Sequence, residues 1–463
     1  MAKTDDPSLF PMPEESSDTP TTPESGTAAG SSVGASEPRL RRAERTQQEM
    51  HVESLDQRLP AEHLARDILD YVNGLDLTLL LQQIKATKGQ VGRDATDPKI
   101  LLSVWLYAFA TGQGSAREVD RLCKRDRAYE WLCGGVSVNY HLLSDFRVGQ
   151  WDYLNQLFTD SLAVLMHEGL LGLERTAQDG MRVRANAGKS SFRREATLEK
   201  CLAEAEERIR ELNQDFEKGF AAGMRQRQAA QKRAALERVE RVKQAVDQVK
   251  ELAAQREARK KGTGQEARAS TTDPDARNMK MPDGGFRPGF NVQFNTDTDS
   301  GLVVGVDVNN QGTDAGLMEP MLEQVEERTG QRPAEHLTDG GFATVADIEK
   351  VTSQGTLVYT PVKEEAEKKA KGIDPFQPLK KDSPAIAEWR QRMGTEEAKT
   401  IYKLRAQTAE WTNAQARNRG FYQVRVRGLQ KVRMIALWYA LIHNVLCARR
   451  LRAEKALAAV EIG

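Results

Sequence analysis

The sequence is short of cysteine, of long apolar runs and of net charge. Its four cysteines, Cys123, Cys133, Cys201 and Cys447, stand far apart and form no CxxC pair. That excludes a disulfide framework and a Cys-based zinc site, and points to reduced thiols in a cytosol. Nothing approaches the roughly 20 apolar residues of a membrane span, and no apolar signal core follows Met1. The expectation is a soluble cytoplasmic protein with no membrane partner. Lys and Arg together number 67, as do Asp and Glu, in 463 residues, so nothing global announces nucleic acid. The length allows two or three domains.

The zero balance hides segregation. From Ile401 to Arg452 eleven Lys and Arg face a single acid, Glu410. A lone carboxylate in so basic a segment is satisfied either by water and neighbouring arginines, or by a divalent cation facing a polyanion. Nothing between Tyr402 and Arg417 breaks a helix, which places Tyr402, Arg405, Glu410 and Arg417 on adjoining faces.

Residues 1–46 are rich in Pro, Ser, Thr, Gly and acids and almost lack large apolar residues. Such a tail cannot bury enough surface to offset its ordering entropy, so it is read as disordered. The run Arg39–Arg45 closes it as a solvated charge run. From about 50 to 168 the pattern is helical: Leu64, Ile68, Leu69 and Val72 recur at helical spacing, and Lys99–Gly112 is an apolar helix ended by glycine. Ser115–Gly135 reads as a short helix and a second helix. An ordinary bundle and a helix-turn-helix offered to DNA both fit.

Leu173–Ala185 reads as a strand leading into a tight turn at Asp179–Gly180. Between Ser191 and Lys261, Leu236, Val239, Val242, Val246, Val249 and Leu252 step by three or four. This is the seam of a helical hairpin or coiled coil, with Phe216–Gly223 as its turn. Gly262–Asp275 is a linker, and Phe290–Asn310 two strands of a hairpin. Asp314 suits the N-cap of a helix Ala315–Arg328. Asp339 follows a short apolar strand and precedes two glycines, where open α/β sheets place their ligands; a plain turn aspartate also fits. Thr356–Lys363 is a further strand, Lys363–Lys371 an exposed helix, and Gly428–Leu451 an apolar helix with a basic end. His443–Asn444 suits core or capping detail.

Tyr402-x2-Arg405 followed by Glu410-x6-Arg417 resembles the Y-x2-R…E-x6-K/R signature of bacterial insertion-sequence DDE transposases. Four residues separate Arg405 from Glu410 here, where some branches have three. DGMRVRANA from Asp179 resembles the family's D-G-T-x-V-x-A-N-A stretch, and LTDGGF around Asp339 its L-x-D-x-G-Y/F. Asp97-Pro98 with the following helix, Ser115–Gly135 and His141–Arg147 resemble the family's helical N-terminal domain. The resemblance implies an α/β fold: an RNase H-like catalytic domain over 172–452 with a helical, coiled-coil-like insertion at 190–262, preceded by an all-α DNA-binding domain over 50–168. It further implies Asp179, Asp339 and Glu410 as catalytic residues and ligands of Mg2+ (or Mn2+), two ions being expected. Tyr402, Arg405, Arg417, Arg419 and Lys431 would hold DNA, and His141 is a further candidate for DNA contact. The partner would be double-stranded DNA, at element ends and target, with a homo-oligomer assembled on it at the nucleoid. The implied reaction is strand cleavage and transfer. A DNA-binding relative without catalysis and a metal-dependent nuclease that cuts without joining are the other readings.

Overall fold

Polar side chains at the helix starts organise the first third of the chain. The helices are α1 (Leu64–Asn73), α2 (Thr78–Gln82), α3 (Pro98–Ala110), α4 (Ala116–Leu122), α5 (Arg127–Cys133), α6 (Tyr140–Gly149) and α7 (Trp151–His167). Asp97 accepts from the Lys99 N–H, Asp126 from the Ala128 N–H and Asn139 from the His141 and Leu142 N–H groups, so the orphan donors of three helices are satisfied locally. The computed structural model describes residues 52–86, 93–217 and 222–462. The tail expected at 1–46, the Arg39–Arg45 run and the tip of the expected Phe216–Gly223 turn lie outside the described residues.

The strands are β1 (Arg175–Arg184), β2 (Phe192–Arg193), β3 (Ala269–Ser270), β4 (Arg277–Lys280), β5 (Phe286–Asp297), β6 (Val303–Asn309), β7 (Glu335–Leu337) and β8 (Leu357–Tyr359). β5 lies antiparallel to β1 on one side and to β4 and β6 on the other; β1, β7 and β8 run parallel. The mixed sheet is therefore ordered β6–β5–β1–β7–β8, with β4 beside β6 along β5. Its two faces differ. Ala177, Met181, Val183, Val292 and Phe294 form an apolar face, and Thr176, Gln178, Asn291, Gln293 and Asn295 are buried on the other.

The remaining helices are α8 (Glu195–Glu217), α9 (Ala222–Arg259), α10 (Met318–Thr329), α11 (Val345–Ser353), α12 (Glu365–Ala370), α13 (Pro384–Met393), α14 (Glu396–Arg405), α15 (Trp411–Asn418) and α16 (Leu429–Ile462). α8 and α9 are the expected helical hairpin. They pack through Leu198, Ala245, Val246 and Val249, with Leu202 and Leu252 alongside, into a small core of their own. Leu236, expected in that seam, is exposed.

Two local expectations are corrected. Gly262–Asp275 is not a free linker: β3 pairs with β2, and Asp273 and Asp275 accept from the Gly428 and Leu429 N–H groups at 3.2 and 2.8 Å. The two carboxylates thus cap α16, a long-range contact that local composition does not signal. Asp314 does not cap a helix from Ala315, because α10 begins at Met318 after Leu317. Its carboxylate turns into the polar face of the sheet instead.

α16 ties the chain together. Its Trp438 stacks on Phe109 of α3 with centroids 5.7 Å apart and donates to the Arg147 carbonyl of α6. Farther along, Asn444 pairs with both backbone groups of Val303 in β6, and His443 bonds the Gly301 carbonyl. The N-terminal helices, the sheet and α16 share one hydrophobic core. Asp275→Ala should remove the cap on the Leu429 N–H and cost about 1 kcal/mol. A urea midpoint equal to that of the native protein would show that α16 starts without it.

Candidate active site

β1 carries Asp179 in its middle, and the strand does not turn there. It pairs with β5 continuously from Thr176 to Arg184, so the tight turn expected at Asp179–Gly180 is absent. Gly180 serves packing: a Cβ on it would lie 2.5 Å from Asp314 Oδ1 and 2.6 Å from Gln293 Nε2. Alternation along the strand sends Asp179 to the opposite face. There Asn413 of α15 donates to its Oδ2 at 2.9 Å, and the Gly180 N–H reaches its Oδ1 at 2.9 Å.

Asp339 follows the neighbouring strand β7, two residues past its last residue, Leu337. The parallel register pairs Ala177 with Leu337, the two aspartates each follow by two residues, and Asp339 is near enough for its charge to act on Asp179. Beyond Leu337 the chain leaves β7. The Asp339 Oδ1 accepts from the Gly341 N–H at 2.8 Å, and its carbonyl accepts from the Thr360 hydroxyl.

Glu410 arrives on a helix that is not wholly α. Between α14 and α15 lies one π turn, Ala406–Glu410, packed against β1 and β5. Five positions apart on a regular α-helix, Arg405 and Glu410 would diverge by about 140°. The wider turn returns them to one side, and Arg405 Nη2 meets Glu410 Oε1 at 2.5 Å. The four-residue spacing is thus absorbed as one extra residue in the helix, the usual origin of a single π turn at a functional site. Arg405 Nη1 also lies 3.9 Å from Asp179 Oδ2, and its guanidinium covers the Tyr402 ring, 5.8 Å from the centroid.

The electrostatics follow from this crowding. Burial pushes the Asp179 carboxyl up to about 6; the Asp339 charge adds to this, while Arg405, Asn413 and the Gly180 N–H oppose it. Arg405, although burial disfavours its charge, is held above its ordinary range by Tyr402, Asp179, Glu410 and Asp339. Tyr402 is raised by burial and eased by Arg405. Among the described residues no three His, Cys, Asp or Glu side chains are drawn tightly enough to hold a metal ion as they stand. The three acids share Arg405 and its field instead. Their donor set is nevertheless all oxygen, as a hard divalent cation requires, and beside Asp179 the buried Asn413 Oδ1 has no partner.

The other expected DNA contacts divide. Arg417 and Lys431 are exposed and make no ion pair among the described residues. Arg419 is half-buried, with burial lowering its pKa; its carbonyl accepts from the Tyr439 hydroxyl. His141 lines a cleft of about 270 Å3 with Arg117, Tyr140, Arg147 and Arg425. Sequence reasoning missed those arginines. Arg147 is 5 % exposed, bonds the Gly114 carbonyl and leaves its Nε unpartnered. Exposed Arg425 depresses its pKa further after burial. No carboxylate pairs with Arg117, Arg147 or Arg425 among the described residues, although Asp145 lines the same cleft. Only the fold brings positions 117, 147 and 425 together.

Residues 262–445 match the family model of the transposase DDE domain, and residues 53–148 match that of a transposase domain, DUF772. Asp339 and Glu410 fall inside the first match, Arg117 and Arg147 inside the second, and Asp179 between the two. No curated protein and no solved structure matches the chain.

Two outcomes follow from this geometry. Deleting Gln407 should let the π turn close as α-helix with Arg405 and Glu410 still on one side, leaving the Tm within a few degrees. A collapse of the Tm would show that the wide turn is required by what packs on Thr408 and Ala409. The second concerns the raised Asp179. Between pH 4 and 6 the folded state holds a proton that the unfolded chain has released, so this group's contribution to stability falls as pH rises through that window. In chelator at pH 7.5, Asp179→Asn should therefore stabilise the protein by about 1–3 kcal/mol and flatten the pH 4–6 slope. A variant less stable than the native protein at pH 7.5 would refute the strain assigned to this carboxylate.

Proposed function

The chain belongs to the DDE transposases of bacterial insertion sequences, and from that premise we propose that it cleaves DNA at element ends and transfers the freed strand to a target. The observation that carries the proposal is the sharing of Arg405 between Asp179 and Glu410, with Asp339, just past the adjacent strand, acting on both Asp179 and Arg405. Acids so distant in sequence have no local reason to meet. The strand order β6–β5–β1–β7–β8, with the helical insertion between β1 and β5 and a helix returning Glu410 to the central strand, supports an RNase H-like catalytic domain over 172–452. The all-α region 50–168 is its DNA-binding companion.

Asp179, Asp339 and Glu410 would hold the metal, and Asn413 orients the first of them. Mg2+ or Mn2+, as two ions when bound, supplies charge stabilisation for the attacking and leaving oxygens of an in-line phosphoryl displacement. Water is the first nucleophile, breaking a phosphodiester and freeing a 3′-hydroxyl. That hydroxyl then attacks a target phosphodiester, forming one P–O bond as another breaks, with no covalent protein intermediate. Arg405 balances the carboxylates and faces the phosphate charge, with Tyr402 beneath it. Arg417 and Lys431 present unpaired charge to the DNA backbone. The arginine cleft between α4, α6 and Arg425 supports a second grip on DNA, because an unpaired buried guanidinium is costly without an anion. The assembly on DNA would be a homo-oligomer in the cytoplasm, at the nucleoid.

Glu410→Gln keeps size and helix propensity and removes one charge. With a labelled element end and Mg2+ or Mn2+, the native protein should cut and join, whereas the variant should bind DNA as well or better and do neither. Cutting without joining by the native protein would mark a nuclease. No cutting at all, with binding intact, would mark a DNA-binding relative. Cleavage by Glu410→Gln at the native rate would remove Glu410 from the site.

A further inference from the structure

The polar face of the sheet, behind the acids, carries a second constellation that the reaction above does not use. Asp314 sits there on the stretch joining β6 to α10. Its Oδ1 accepts from Asn291 Nδ2 and Gln293 Nε2, both at 2.7 Å, and from Arg182 Nη1 at 3.1 Å; its Oδ2 accepts from Arg182 Nη2 at 2.9 Å. Arg182 also bonds Asn291 and the Gly312 carbonyl. Burial alone would raise the Asp314 pKa, but Arg182, Asn291 and Gln293 outweigh it and keep the carboxyl below its ordinary value. The group is thus a fixed anion with four donors in place.

Its position is more informative than its bonding. A Cβ on Gly180 would lie 2.5 Å from Asp314 Oδ1, and a Cβ on Gly341 3.7 Å from Asp314 Oδ2. These two glycines supply the backbone N–H groups that hold Asp179 Oδ1 and Asp339 Oδ1. One carboxylate therefore packs beneath both peptide segments that aim the two aspartates, although it faces the opposite side of the sheet. A carboxylate that merely anchored the loop at 310–317 would have no need to lie so close to either glycine.

We propose that Asp314, clamped by Arg182, is a positioning residue that sets the spacing of Asp179 and Asp339. It touches neither substrate nor metal and acts through the backbones of Gly180 and Gly341. The proposal rests on the assignment of those two aspartates as ligands. It also accounts for glycine at position 180, a strand interior where glycine is otherwise unfavourable.

The test is Mn2+ binding by the full-length protein without DNA, followed by electron paramagnetic resonance of the free ion, with the Tm recorded for each variant. Asp314→Ala should weaken Mn2+ binding about tenfold or more, and Asp314→Asn, which keeps the shape but loses the charge and faces a donor with an NH2, should recover only part of that loss. Gly180→Ala directs a methyl group at Asp314 and away from Asp179, and should also weaken binding about tenfold. It decides the matter if Asp314→Ala does not fold. Native Mn2+ affinity in Gly180→Ala, or in a folded Asp314→Ala, overturns the positioning role, and loss of binding in Asp179→Asn would then show that the ligand assignment still stands. If the native protein binds no Mn2+, or Asp179→Asn binds it unchanged, the ligand assignment itself is wrong and the positioning role goes with it.

Discussion

The constraint on which the site depends is the cost of keeping Asp179 as a carboxylate on the central strand of a sheet. Most of its surface is withdrawn from water, and a second acid, Asp339, just past the end of the next strand, adds its charge. Desolvation and like charge both favour the protonated form. A protein selected for stability alone would carry an uncharged residue there. What surrounds Asp179 is instead an incomplete compensation: one guanidinium at 3.9 Å, one amide and one backbone N–H. Arg405 is shared with Glu410, so it fully neutralises neither acid. Residual negative charge of this kind is what the cation of the proposed reaction would meet.

The helix bearing Arg405 and Glu410 shows how that compensation is built. Regular α-helical spacing would separate the two side chains, and the guanidinium could then serve Asp179 or Glu410 but not both. Widening one turn solves the geometry and leaves the flanking α14 and α15 intact. Poorer backbone hydrogen bonding in the π turn is the local cost. Packing of Thr408 and Ala409 into the protein, both nearly fully buried, offsets it.

Much of this was legible in the sequence where the signal is local. Alternation marked β5 and β6, partly β-branched composition marked β1, helical spacing marked α1 and α9, and apolar composition marked α3 and α16; the three acids were singled out by resemblance to family motifs. The misreadings share one physical cause. Gly180 looked like a turn glycine because a turn is its commonest use; the side chains of Asp314, Gln293 and Asn291 that require it come from other strands and loops. Asp314 looked like a helix cap because a helix follows it, yet its four donors lie on β1 and β5. Gly262–Asp275 had linker composition, but two of its acids hold the start of a helix more than 150 residues on. Arg117, Arg147 and Arg425 stood out in no window of sequence. In each case the deciding partner is distant along the chain, beyond the reach of propensity and period.

The shared core bears on how DNA would be presented to the acids. Had the N-terminal helices been tethered by a flexible segment, the arginine cleft and the carboxylates would move independently, and binding at one would position nothing at the other. Instead α16 runs from the Asp273 and Asp275 cap, past Trp438 packed on Phe109 and bonded to α6, to Asn444 paired with β6. The same helix therefore braces the cleft that contains Arg147 and the sheet that contains Asp179. Lys431 lies in its first turn, and Arg425 just precedes it. A phosphate held by these cations is then fixed relative to the carboxylates through side-chain packing rather than through a linker. Proximity of this sort is what a reaction with little covalent chemistry from the protein most needs.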